Sequence, residues 1–169
     1  PSIGCWIPFN EAWGQFKSVE IAEWTKKYDP TRLVNQASGG NFYPCGDIID
    51  LHNYPEPKLY LYDPTRINVL GEYGGIGMVV KDHIWATTDR NWGYVQYNTV
   101  EKVTDEYVKY ANMLYDLVQQ GFSAGVYTQT SDVEYEVNGL MTYDRKEVKV
   151  IADRVRKANQ EVIDIINKR

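Results

Sequence analysis

The chain has 169 residues, enough for one domain with a real core. Its net charge is −5 and its Lys and Arg residues are scattered, which argues against a nucleic-acid partner needing a basic patch. No apolar run approaches the roughly 18 residues of a membrane span, and the two cysteines, Cys5 and Cys45, lie outside any CxxC or Cys/His cluster, so a zinc site is not expected.

Residues 3–9 read as a buried strand, with Cys5 as a small buried hydrophobe. Ser18 is predicted to cap an amphipathic helix over 18–28, whose apolar residues are Ile21, Ala22 and Trp24. Asp29-Pro30-Thr31-Arg32 ends that helix; residues 33–36 form a second strand and 47–52 a third. Asp63-Pro64-Thr65-Arg66 repeats the earlier tetrapeptide and again precedes a strand, 67–70. The interval between the copies is that of a βα unit. Residues 75–98 read as a long insertion without regular structure, and such stretches are usually functional. Thr99 opens the clearest helix, with Val103, Tyr107, Leu114 and Leu117 at helical spacing, and Gly121 stops it. A fifth strand is predicted over 122–129 and a polar loop with Asp132, Glu134 and Glu136 over 130–145. A last helix follows over 147–167, with Val148, Ile151, Val155, Val162 and Ile166 on one face. The pattern predicts one α/β domain over residues 1–169, a parallel sheet covered by helices. Five strands cannot close an eight-stranded barrel, so the alternatives are an open sheet or part of a barrel. The chain opens at Pro1 without a Met and reads as a piece of something longer.

Two glutamates stand at strand ends: Glu11 after 3–9 and Glu72 after 67–70. A carboxylate there is costly unless used or paired. Two of them at the mouth of a parallel sheet fit glycoside hydrolysis, in which one protonates the leaving oxygen and the other attacks the anomeric carbon. Glu11 suits the first role and Glu72 the second. Asn10 is placed to bind a sugar 2-OH, and the Tyr54 hydroxyl to hold Glu72 ionised. His52 is a candidate for a sugar hydroxyl. Trp13, Tyr127, Trp85 and Trp92 are candidate stacking platforms, in keeping with an aromatic share of 14%. Asp132 and Glu134 are placed on sugar hydroxyls or on Arg145. Each residue also has a plain structural reading: a helix-initiating Asn-Glu pair, a turn glutamate, a rim tyrosine, a solvated acidic loop. No HExxH, no GxSxG elbow and no phosphate loop is present.

These segments are together familiar. Trp6-Ile7-Pro8-Phe9-Asn10-Glu11-Ala12-Trp13-Gly14, Asp50-Leu51-His52-Asn53-Tyr54-Pro55, Gly71-Glu72-Tyr73-Gly74-Gly75 and Val126-Tyr127-Thr128-Gln129-Thr130-Ser131-Asp132 keep a motif order. That order resembles strands four to eight of the catalytic barrel of glycoside hydrolase family 2, the β-galactosidases, β-glucuronidases and β-mannosidases. The resemblance implies a partial (β/α)8 TIM barrel lacking strands one to three. It implies Glu11 as acid/base, Glu72 as nucleophile, Asn10 on the 2-OH and Tyr54 orienting Glu72. It implies a retaining β-glycosidase without cofactor, β-galactosidase foremost, acting on an oligosaccharide or glycoside. Its partners would be the upstream barrel strands and β-sandwich domains of a parent chain, with no nucleic acid and no membrane. A periplasmic or secreted setting is favoured over the cytoplasm. The alternative is a non-catalytic carbohydrate-binding or interaction fragment with an incomplete site.

Overall fold

The computed structural model describes residues 2–165. They form a mixed α/β structure with parallel strands and, among the described residues, three helices. The order is β1 (Cys5–Trp6), α1 (Ser18–Tyr28), β2 (Leu33–Val34), β3 (Ile48–His52), β4 (Ile67–Gly74), β5 (Ile76–Gly77), β6 (Val95–Gln96), α2 (Val100–Gln119), β7 (Ala124–Thr128) and α3 (Ala152–Ile163). β1 pairs with β2, and β3, β4 and β7 form a second parallel sheet in that order. One parallel bridge, Asn35 to Ile48, joins the two sheets. Asp47 staples this seam. Its N–H donates to the Val34 carbonyl at 2.7 Å, and its carboxylate accepts from the Val34 N–H at 2.8 Å and Lys26 Nζ at 3.0 Å.

The helices form where periodicity and caps agree. The Thr99 hydroxyl accepts from the Lys102 N–H at 3.3 Å and caps α2. Val103, Tyr107 and Leu114 of α2 then meet Leu51, Leu70 and Tyr73 of β3 and β4 in one core. Each such buried side chain contributes about 1.5–3 kcal/mol. α3 docks on α2, where the Tyr107 hydroxyl bonds Asn159 at 3.1 Å and Thr104 Oγ1 accepts the Ile151 N–H at 2.9 Å. No helix among the described residues is long and apolar enough to cross a membrane.

Several expectations are corrected. The first strand is short and its neighbours are exposed, Ile7 at 52%, because β1 is a sheet edge with no partner on its outer side among the described residues. Cys5 is half-buried rather than buried. Lys17, in the left-handed region at φ 46°, occupies the cap position of α1; Ser18 is its first residue and makes no cap bond to the backbone. Between the two Asp-Pro-Thr-Arg copies lie β2 and β3 without a helix. Both copies instead form the same bracket. Asp29 Oδ1 accepts from the Thr31 N–H at 3.2 Å and hydroxyl at 2.6 Å; Asp63 Oδ1 accepts from Thr65 at 2.8 and 2.6 Å. The matching arginines bind Oδ2 at 2.5 and 2.7 Å. The insertion carries β5 and β6, which pair with each other. The last helix starts at Ala152, leaving Val148 exposed, and Ile166 lies outside the described residues.

Candidate functional site

β4 runs on to Gly74, so Glu72 sits within the strand rather than after it. Its pairing carries one irregularity. Leu51 faces Leu70, yet His52 faces Glu72; Leu70 faces Gly125, yet Tyr73 faces Tyr127. β4 therefore holds one extra residue at Gly71-Glu72 against both neighbours, a β-bulge. The bulge lets Leu70 and Tyr73, three apart, both enter the helix-side core, while Glu72 turns toward the face that carries Asp50 and His52. Gly71 has to be glycine: a Cβ there would come within 2.1 Å of the Asp50 carboxylate. That carboxylate accepts the Gly71 N–H and Asn35 Nδ2, each at 2.7 Å.

Glu11, on the loop after β1, meets these residues across the seam. Its Oε2 is in direct hydrogen-bond contact with His52 Nδ1, and Glu72 Oε2 lies 3.2 Å from the same nitrogen. Ser38 Oγ holds the other ring nitrogen, Nε2, at 2.8 Å. Ionised carboxylates only accept, so Nδ1 carries a proton that both glutamates share. Tyr54, just past β3, donates to Glu72 Oε2 at 2.6 Å. The ring of Tyr94 stacks on Tyr54 with centroids 3.8 Å apart, and a Cβ at Gly75 would collide with it at 2.4 Å.

The electrostatics follow from these contacts. Burial pulls the His52 pKa down, but the hydrogen bonds and charges of Glu72, Glu11 and Asp50 more than offset it, and the net shift is upward. Burial pushes Glu72 up, but the bonds from His52 and Tyr54 override it and hold the carboxyl below its ordinary value. Tyr54 is pushed well up, first by burial and then by its bond to Glu72. Asp50 is raised by burial against the pull of Asn35, His52 and Ser38. Glu11, His52 and Glu72 each offer one ligand-type atom, all within 4.8 Å of one another. The residue types fit a divalent cation. Such an ion would compete with the shared proton for Nδ1.

No protein-family model matches the chain, and no curated protein matches it. Glu11, His52, Tyr54 and Glu72 come together from three separate stretches of sequence. Asn10 lies beside Glu11 on the exposed loop, where its carbonyl accepts Gln15 Nε2 at 2.8 Å. Trp13 is 91% exposed and lines a shallow cleft with Phe16, Lys17 and Tyr43 to which neither glutamate contributes. Tyr127 is taken up by packing: it meets Tyr73 edge-on at 5.7 Å and its hydroxyl accepts the Ile76 N–H at 3.2 Å. Asp132 corrects the expectation most. It is buried and pairs not with Arg145 but with Lys149, whose Nζ lies 2.6 Å from Oδ1, and it also accepts the Gly139 N–H at 2.8 Å. Glu134 stands exposed on a turn at φ 53°.

Sequence reasoning missed Asp50, Ser38 and Tyr94. Asp50 had a signal, since it sits two residues before His52 and therefore on the same strand face. Tyr94 lies in a segment whose pairing no local pattern specifies.

Proposed function

We propose that the chain carries the catalytic pair of a retaining β-glycosidase, as part of a (β/α)8 barrel of the glycoside hydrolase family 2 kind, with a terminal β-linked sugar, β-galactoside foremost, as substrate. One observation carries the reading: oxygen atoms of Glu11 and Glu72, 61 residues apart in the chain, lie within 4.8 Å across one imidazole. Retaining enzymes hold their carboxyl groups about 5–5.5 Å apart, inverting ones about 6.5–9.5 Å.

The chemistry runs as follows. Movement of the shared proton along the Glu11–His52 bond leaves a protonated Glu11 and a neutral imidazole. Glu11 gives that proton to the glycosidic oxygen as the bond to the anomeric carbon breaks. Glu72, kept anionic by its Tyr54 bond, attacks the same carbon and forms an ester. Water then attacks the carbon, passes a proton to Glu11, and frees Glu72. No step requires a metal or cofactor, and hydrolysis should survive EDTA. Replacing Glu72 with Gln should cut hydrolysis of an aryl β-glycoside by about a thousandfold or more. Near-normal turnover in that variant would remove Glu72 from the role.

A second reading is a non-catalytic carbohydrate-binding fragment. It is favoured by the outer edges of β1 and β7, which pair with no further strand among the described residues. A 2-deoxy-2-fluoro glycoside separates the two, since it would label Glu72 only in an enzyme.

A further inference from the structure

His52 is held as a metal ligand is held. Its side chain is 7% exposed, and a Cβ at Gly39 would come within 2.5 Å of the ring, so a glycine is what lets the backbone lie against the imidazole. Ser38 Oγ stands 2.8 Å from Nε2, and the Asp50 carboxylate accepts the Ser38 hydroxyl in turn. A hydroxyl that donates to Asp50 turns its lone pairs to the ring and accepts an Nε2–H. Ligating histidines are oriented in this way, through the nitrogen that does not bind the ion. With Nε2 protonated, loss of the shared Nδ1 proton leaves a lone pair aimed at Glu11 and Glu72.

Three donor atoms then converge. Glu72 Oε2 lies 3.2 Å from Nδ1, close to the roughly 3.3 Å between neighbouring ligands on one tetrahedral Zn2+. Glu11 Oε2 is nearer still, on a loop side chain 43% exposed that can draw back as an ion enters. His83 supplies the contrast. Asp144 stands at its Nδ1 and Glu147 at its Nε2, 2.8 and 3.9 Å away, so the two carboxylates face opposite nitrogens and cannot share one ion with the ring. Among the described residues only Glu11, His52 and Glu72 bring three such atoms together. One imidazole nitrogen and two carboxylate oxygens suit Zn2+, whereas Mg2+ and Ca2+ favour oxygen ligands alone.

We propose that Glu11, His52 Nδ1 and Glu72 form an inhibitory Zn2+ site: the ion replaces the shared proton, which leaves to solvent, and engages both glutamates at once. Zn2+ is here a regulator of the site and no part of its chemistry. The binding stands on the geometry alone; the inhibition rests on the glycosidase reading. The test is calorimetry of the protein with ZnCl2 and MgCl2, and visible absorption with CoCl2. One Zn2+ should bind per chain, about a hundredfold or more tighter than Mg2+. The Co2+ spectrum should lack a thiolate charge-transfer band, which separates this site from Cys5 and Cys45. Ser38→Ala should weaken Zn2+ binding about tenfold, Glu11→Gln about a hundredfold, and His83→Gln should leave it unchanged. The site is overturned if Zn2+ does not bind, if it binds no tighter than Mg2+, if Co2+ reports thiolate ligands, or if Glu11→Gln binds as the unaltered protein does. Hydrolysis of an aryl β-glycoside should cease over the range of Zn2+ in which calorimetry shows binding, and return with EDTA. Hydrolysis that persists with Zn2+ bound defeats the inhibition alone. Hydrolysis absent before any Zn2+ is added defeats the glycosidase reading, and the inhibition with it, while the ion site is still decided by the binding data.

Discussion

Tyr54 shows how one hydroxyl can set the working pH. It donates to Glu72 at 2.6 Å, and that bond is one reason the carboxyl stays below its ordinary pKa despite burial. Tyr54→Phe should therefore let the Glu72 pKa rise. The acidic limb of the kcat/KM profile should move to higher pH, and kcat should fall by about ten- to a hundredfold. An unmoved acidic limb would assign the low pKa to His52 alone. Residue by residue, the sequence placed Glu11, His52, Tyr54 and Glu72 because each follows or ends an apolar run. Ser38 and Tyr94 were hidden, since nothing in their own neighbourhood announces a histidine or tyrosine partner. Asp132 was misassigned for the same reason: its cation, Lys149, lies 17 residues on, beyond any local pairing pattern.

At the level of elements, α2 was legible because cap, periodicity and terminating glycine all agree. The bulge in β4 was not, because its extra residue is visible only against two neighbouring strands. The loops beyond β7 depend on one buried ion pair. Lys149 Nζ binds Asp132 and the carbonyls of Met78 and Val137, and so ties three segments together. Burial pushes the Asp132 pKa up and the Lys149 pKa down, so the pair gives back much of its attraction as desolvation. Asp132→Ala, which strands a buried ammonium, should cost about 3–5 kcal/mol in urea unfolding. The double change Asp132→Leu with Lys149→Met should cost markedly less than either single change. A double variant as unstable as the sum of the singles would show that Asp132 and Lys149 are not coupled.

For the molecule as a whole, titration sets a window of stability. Hydrogen bonds from Thr31, Thr65 and Thr142 hold Asp29, Asp63 and Asp144 below the usual carboxylate range, Asp63 at about 2. Their contribution is present above the unfolded pKa and is lost as pH falls through the folded one. His52 runs the other way. Its folded pKa is raised by its carboxylate neighbours against burial, so its contribution is full below about pH 6.5 and is lost as pH rises through the folded value. The urea midpoint should be highest between about pH 4 and 6.5, falling on both sides. A midpoint that keeps rising above pH 7 would contradict the upward shift of His52. The same scale gives the seam at Asp47 a chemical meaning. Glu11 rides on the two-stranded part and Glu72 on the three-stranded part, so under the proposed glycosidase reading the spacing of proton donor and attacking oxygen would depend on the junction made by the Asn35–Ile48 bridge and the Asp47 bonds. Were that junction to part by a few ångströms, a water would fit between carboxylate and sugar, and the anomer released would be the opposite one. In the proposed enzyme, product stereochemistry would be a ruler laid across Asn35 and Ile48.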